Sequence, residues 1–330
     1  MPNYFIFKSA HTLSVLVIFF SALLVSCSDS EDSPKLNNTS KPSVSIKPKQ
    51  QTPLNRQSSP ETAKLTSIID EHFSQLTHES KQINETLIAF TQEPSKDGLQ
   101  HAIEALDKVH ALFVSGNFLD ACCGIYSPDL TNSENDLAKL SIKTKLDQYP
   151  LLPGYLDAVK GYPYSGLIYS DIPITRETME QEFQLGDPAY VSLGFHALEL
   201  ILKGSDQKRK VSDFSRLKST QDTSSAPAEL RRTLYAILLA AEIENDISIL
   251  KLLWESGLKN SLGQKSDAQA DKFFNELYIT AENELNDIKA GESTSEENTK
   301  TDEHSNIEII KLKKALLERL IAIKKSRMKI

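Results

Sequence analysis

The stretch Gly194-Phe195-His196-Ala197-Leu198-Glu199-Leu200-Ile201-Leu202-Lys203-Gly204 decides how this chain reads. It is an apolar run closed by a glycine, which predicts a helix over 190–203 ended at Gly204. His196 and Glu199 are three residues apart and therefore share one face of that helix. An imidazole and a carboxylate presented together among aliphatic side chains form a donor pair for a hard or borderline cation. A lone histidine on an apolar helix is more often a core residue with a satisfied hydrogen bond, so the pair needs support from elsewhere.

The flanking sequence has the same helical character. A first helix is predicted over 61–92, with Leu65, Ile68, Ile69, Leu76, Ile83, Leu87 and Ile88 as its buried stripe and Pro94 as its stop. A second starts near Ser95, a capping residue, and carries Leu99, Ile103, Leu106, Val109 and Phe113. Residues 117–188 hold Pro128, Pro150, Pro153, Pro163 and Pro173 and read as short helices mixed with ordered loops. Residues 208–225 are polar and read as an exposed loop. A long helix follows over 227–256, closed by Gly257, then another over 266–290. Residues 291–306 form a low-complexity polar insert expected to be disordered, and 307–329 a final amphipathic helix whose lysines read as the solvated face of a bundle. The chain is thus expected to be all-α, two packed helical bundles of roughly 61–150 and 151–330, with an irregular Pro-rich central segment. The string His101-Ala102-Ile103-Glu104 echoes His196-Ala197-Leu198-Glu199, a short match that hints at duplication between the halves.

The N-terminus reads as a targeting segment. Lys8 precedes an apolar run from Leu13 to Val25, too short for a good membrane span and suited to a secretory signal. The run ends in Leu24-Val25-Ser26-Cys27, which resembles the bacterial lipobox, so 1–27 is expected to be a lipoprotein signal peptide with Cys27 lipidated. Ser28 after the cysteine favours the outer membrane by resemblance to enterobacterial sorting. Residues 28–60 are rich in Ser, Pro, Asn and Lys and read as a flexible tether. The formal net charge of −8, nearer −9 once Lys8 is removed, argues against a nucleic-acid partner. With Cys27 lipidated, only the adjacent Cys122 and Cys123 remain, a pattern that suits small buried residues better than a disulfide or a thiolate metal site.

Several segments agree with one family. Ser192 to Glu199 contains Gly194, His196 and Glu199 in the order GxHxxE; Tyr155 to Ile168 and Arg231 to Trp254 surround it. The chain resembles imelysin-like proteins, the group of M75 peptidases related to a periplasmic iron-uptake component. The likeness runs from about Leu99 to Trp254. It departs at Lys203, where the family usually has Trp near the end of the motif helix. The resemblance implies two helical-bundle halves with the motif helix lining a cleft between them, and a link to iron.

His196 and Glu199 do not complete a metal site, since zinc normally takes four ligands and iron more. Further ligands are sought at Glu104, His101 and His110 on the second helix and at Asp157, which could instead cap a short helix. Arg231 or Arg232 could orient a carboxylate or bind an anion, or simply pair with acids, and Gly194 could admit another backbone or a ligand. No H-E-x-x-H or H-x-x-E-H string is present, and no general base can be named, so binding ranks above hydrolysis. The expected function is that of a cell-envelope lipoprotein binding iron, zinc or another divalent cation, or its chelate, in uptake, with an iron-transport component as partner. The alternatives are an imelysin-type metallopeptidase and a scaffold or adhesion lipoprotein.

Overall fold

The computed structural model describes residues 60–123, 142–217, 225–264, 267–294 and 303–327. The predicted signal peptide with Cys27, and almost all of the tether, lie outside the described residues. Helix α1 spans Pro60–Gln92. Leu65, Ile69, Phe73, Leu76, Ile83 and Leu87 recur at helical spacing and form its buried face. Ile88 was expected on that stripe and is instead 42 % exposed, with Phe90 buried in its stead. The reason is angular, because one step past Leu87 turns about 100° off the stripe while three steps return to it.

Helix α2 spans Lys96–Ser115, and the Ser95 hydroxyl caps it by accepting from the Gly98 N–H at 3.0 Å. The central segment holds the short helices α3 (Phe118–Cys123), α4 (Ile142–Leu146), α5 (Pro153–Leu156) and α6 (Arg176–Glu182), plus a 3-10 turn at Leu167–Tyr169. Helix α7 is Gly194–Lys203, starting four residues later than predicted. Ser192 and Leu193 stay outside it because the Ser192 hydroxyl donates to the Met179 carbonyl at 2.7 Å and Tyr235 donates to the Ser192 carbonyl at 2.8 Å. Gly204 closes the helix as read, its N–H donating to the Leu200 carbonyl at 2.9 Å.

The segment after Gly204 is not the plain exposed loop its polarity implies. Val211–Asp213 form a 3-10 turn and Phe214 is buried, packing edge-on against Phe90. Helix α8 runs Ala228–Leu253 and does not end at Gly257. It continues through a π-helical turn, Trp254–Lys259, into α9, Asn260–Gln264. The turn is anchored by Asp70 on α1, which accepts from the Trp254 indole at 2.8 Å and from Lys259 at 2.7 Å.

Helix α10 spans Asp267–Thr294 and α11 spans Glu303–Arg327. Helix therefore reaches into both ends of the polar insert expected to be disordered, and 295–302 lie outside the described residues. The lysines of α11 pair with acids of its neighbours, Lys313 with Glu284 and Lys324 with Glu282, and Arg319 pairs with Glu71 on α1. The face expected to be solvated is thus partly drawn into the bundle, the Lys313 and Lys324 side chains being 19 % and 27 % exposed.

Helix α1 packs against α2, α8 and α11, and α10 packs against α3 and α11. Helix α7 packs against α2, α4 and α8. The fold is all-α, with helices packed as bundles and no strand among the described residues. No described helix is long and apolar enough to cross a membrane.

Candidate metal centre

The site is made at Gly194. Its φ is +86°, a conformation that L side chains rarely adopt. A Cβ there would stand 2.3 Å from the Lys145 carbonyl oxygen and 2.4 Å from that of Leu146. Glycine thus lets the end of α4 rest on the start of α7. That contact places the next residue, Asp147, against His196, two positions into α7.

Asp147 Oδ1 lies 3.2 Å from His196 Nε2 and accepts from His110 Nε2, on α2, at 2.8 Å. His110, Asp147 and His196 each offer one ligand atom, and all three atoms lie within 4.8 Å of one another. Among the described residues no other trio of His, Cys, Asp or Glu converges in this way. His110 is held by stacking on Phe195, centroids 4.7 Å apart, and meets His196 edge-on at 5.1 Å. The Tyr149 ring covers His196 from the solvent side, 5.2 Å away and largely exposed. Both histidine side chains keep 21 % of their surface in water and Asp147 keeps 16 %, so the cluster is reachable from outside.

The charges follow from the contacts. Burial pushes the Asp147 carboxyl up, but hydrogen bonds from His110 and His196 outweigh it and bring the group down to about 2. Burial likewise opposes charge on His196, yet Asp147 on one side and Glu199 on the other raise it to about 9. Glu199 falls to about 2, chiefly through His196, against the opposing effect of burial and with help from Lys203. At neutral pH this is an imidazolium between two carboxylates.

Glu199 addresses the other nitrogen of the ring. Its Oε2 is 3.6 Å from His196 Nδ1, while its Oε1 accepts from Lys203 Nζ at 3.1 Å. Lys203 in turn donates to Asp107 on α2 at 2.7 Å.

The other residues singled out in the sequence fall elsewhere. His101 and Glu104 are exposed and do not join the cluster. His101 is about half a turn around α2 from His110, because nine residues at 3.6 per turn leave it on the opposite side. Glu104 accepts instead from Gln100 at 2.9 Å. Asp157 is fully buried and its oxygens are taken. They accept from Arg232 Nε at 2.8 Å and Nη2 at 2.9 Å, from Arg209 Nη2 at 2.6 Å and from the Ala158 N–H at 2.8 Å. It is a structural anion, not a ligand. Arg231 is buried and donates to the carbonyls of Leu167, Ile168 and Ile172, so it clamps a loop. Ser192 is likewise buried and pins the entry to α7.

Sequence reasoning missed Asp147, Asp107 and Arg209. Asp147 lies in the aperiodic central segment, 37 residues from His110 in the chain, so no local spacing marks it.

The family model for imelysin, the M75 peptidase group, matches residues 69–307. The chain belongs to the imelysin family. The match extends past both ends of the stretch that carries the resemblance, taking in most of α1 and the polar insert before α11. The sequence matches no curated protein.

The donor set fits the metal that the family implies. Two imidazole nitrogens and one carboxylate oxygen suit borderline cations such as zinc and ferrous iron. Metal–ligand bonds of about 2.0–2.2 Å at tetrahedral angles put neighbouring ligand atoms about 3.3–3.6 Å apart. The 2.8 and 3.2 Å contacts at Asp147 Oδ1 are tighter than this by less than about 1 Å. A cation could take the place of the protons now shared there, with the three side chains adjusting around it.

Proposed function

We propose that the protein is a cell-envelope lipoprotein that binds a divalent cation, iron or zinc, in metal uptake. The binding residues are His110, Asp147 and His196, contributed by α2, the α4 end and α7. The observation that carries the reading is the convergence of three ligand-type atoms on one spot that stays open to water. Three protein ligands leave further coordination positions for water or for a chelating carrier. The bound ion would supply Lewis acidity there, and the residues hold and orient it. Iron is the preferred cargo because imelysin resemblance links the group to iron.

Membrane attachment is assigned to lipid on Cys27, with the outer membrane as the favoured location and an iron-transport component as the partner. The first two rest on the sequence around Cys27 and the third on the imelysin resemblance. Metabolic labelling with a fatty-acid analogue tests the anchor, which Cys27→Ser should abolish together with partition into detergent.

Metal binding is tested on the purified protein by calorimetry with Zn(II) and anaerobic Fe(II). One ion per chain is expected, lost in Asp147→Ala and His196→Ala variants that keep the wild-type circular dichroism. A protein that binds no ion and whose variants lose only stability would leave the scaffold reading standing. The peptidase designation of the family favours a second reading, hydrolysis at the same ion. Chelator-sensitive cleavage of a protein substrate by the wild type, absent in His196→Ala, would establish it.

A further inference from the structure

The motif pair is not equivalent in the structure. Asp147 Oδ1, which also holds His110 Nε2, faces Nε2 of the His196 ring, and Glu199 addresses Nδ1. An ion bound between His110, Asp147 and His196 must therefore sit on Nε2, with the imidazole ring between it and Glu199. Glu199 is also committed on its other oxygen. Lys203 bridges Glu199 Oε1 and Asp107 Oδ1 at 3.1 and 2.7 Å, and its ammonium is largely buried. To join the ion, Glu199 would have to leave Lys203 short of one carboxylate and pass around the imidazole.

We infer that Glu199 is a positioning residue that fixes His196 through Nδ1–H, held in turn by Lys203 and Asp107, and is not itself a ligand of the ion. This rests on the metal-binding reading of the same site. The proton balance is simple. The incoming cation displaces the Nε2 proton to solvent, and the Nδ1 proton stays. Its nearest acceptor is then Glu199 Oε2. The 3.6 Å between Oε2 and Nδ1 has to close by about 0.5 Å to make that hydrogen bond. Carboxylate–imidazole–metal relays of this kind set the tautomer and raise the basicity of the ligand. The line Asp107–Lys203–Glu199–His196 gives α2 a hold on the ring by a route separate from His110.

The arrangement also assigns a role to Lys203. Its ammonium stands between Glu199 and Asp107 and holds the carboxylate that faces Nδ1.

The test is Co(II) titration of the full chain in detergent, followed by visible absorption, with Zn(II) competition for affinity. In Glu199→Gln the stoichiometry should stay at one ion and the Co(II) bands should keep their positions and intensity. Affinity should fall about 10- to 100-fold, the usual cost of losing an outer-shell partner. Glu199→Ala should be weaker than Glu199→Gln, whose amide oxygen still accepts from Nδ1–H. Nitrogen-15 correlation spectra of the Zn(II)-loaded wild type should show His196 protonated on Nδ1 and metallated on Nε2, a readout that requires no variant. Changed Co(II) bands in a folded Glu199→Gln variant would make Glu199 a ligand and overturn the inference. So would metal on Nδ1, or unchanged affinity in both Glu199 variants. If the wild type takes up no Co(II) or Zn(II), the metal reading itself falls, and this inference with it.

Discussion

Two aspartates ten residues apart show how the same side chain becomes a staple or a site. Asp157 is sealed from water and ringed by Arg232 and Arg209, cations that do not give up their protons. Arg209 also donates to the carbonyls of Leu200 and Ile201, so this cluster ties down the C-terminal end of α7. Asp147 stands at the N-terminal end of the same helix, partly in water, held by two imidazoles. Imidazolium protons are exchangeable for a metal ion and guanidinium protons are not. The lesson is that a buried carboxylate marks a functional site when its partners can be replaced.

The comparison can be broken most forcefully at the staple. Asp157→Ala leaves two arginines buried without their anion, and removal of one partner from a buried pair typically costs about 3–5 kcal/mol. Thermal unfolding should register this as a large loss of stability, or as failure to fold. A variant with near wild-type melting would show the Arg232 cluster to be dispensable. Next in size is Gly194→Ala. The added Cβ would strike the 145–146 backbone in a conformation alanine resists, costing about 1–3 kcal/mol. It should weaken metal binding as well, because Asp147 is displaced; lost stability with intact metal affinity would separate the glycine from the site.

Asp147→Asn should abolish the ion outright and cost the metal-free fold about 2 kcal/mol at neutral pH, the order set by a carboxyl lowered from 3.8 to about 2. Denaturant titration beside calorimetry checks both halves of that statement. The pH dependence sharpens the contrast further. His196 is raised to about 9, so its contribution to the stability of the metal-free protein is complete below about 6.5 and is lost as pH rises towards 9. Asp147 is lowered to about 2, so its contribution is complete above about 4 and is lost as pH falls towards 2. Asp147→Asn should flatten the alkaline arm of a melting-temperature profile; an unchanged arm would mean that His196 is not held by Asp147. Metal affinity should run the opposite way on the alkaline side, rising as His196 gives up its proton. The smallest effect is expected at exposed Ile88, where Ile88→Ala should change stability by no more than about 0.5 kcal/mol.

His72 makes the same point within the core. Wholly buried on α1, it is pushed down to about 4 by desolvation, whereas His196, with carboxylates on both sides, is pushed up. Sequence treats the two histidines alike, as single imidazoles on apolar helices.

The sequence by itself determined the helices and the motif. Leu65 to Leu87 recur at helical spacing, Ser95 caps α2, Gly204 closes α7, and His196 and Glu199 follow from one turn of helix. Those features depend on neighbours within a few residues, where spacing fixes direction. Only the tertiary structure decided which side chains meet. Asp147 reaches His196 because Gly194 admits the end of α4. Asp157 becomes a staple because Arg209 and Arg232 arrive from 52 and 75 positions away. Gly257 fails to end α8 because Asp70, 184 residues from Trp254, holds the π turn that follows. Contacts between distant segments depend on the packing of whole helices, and no periodicity in a single stretch of chain records them.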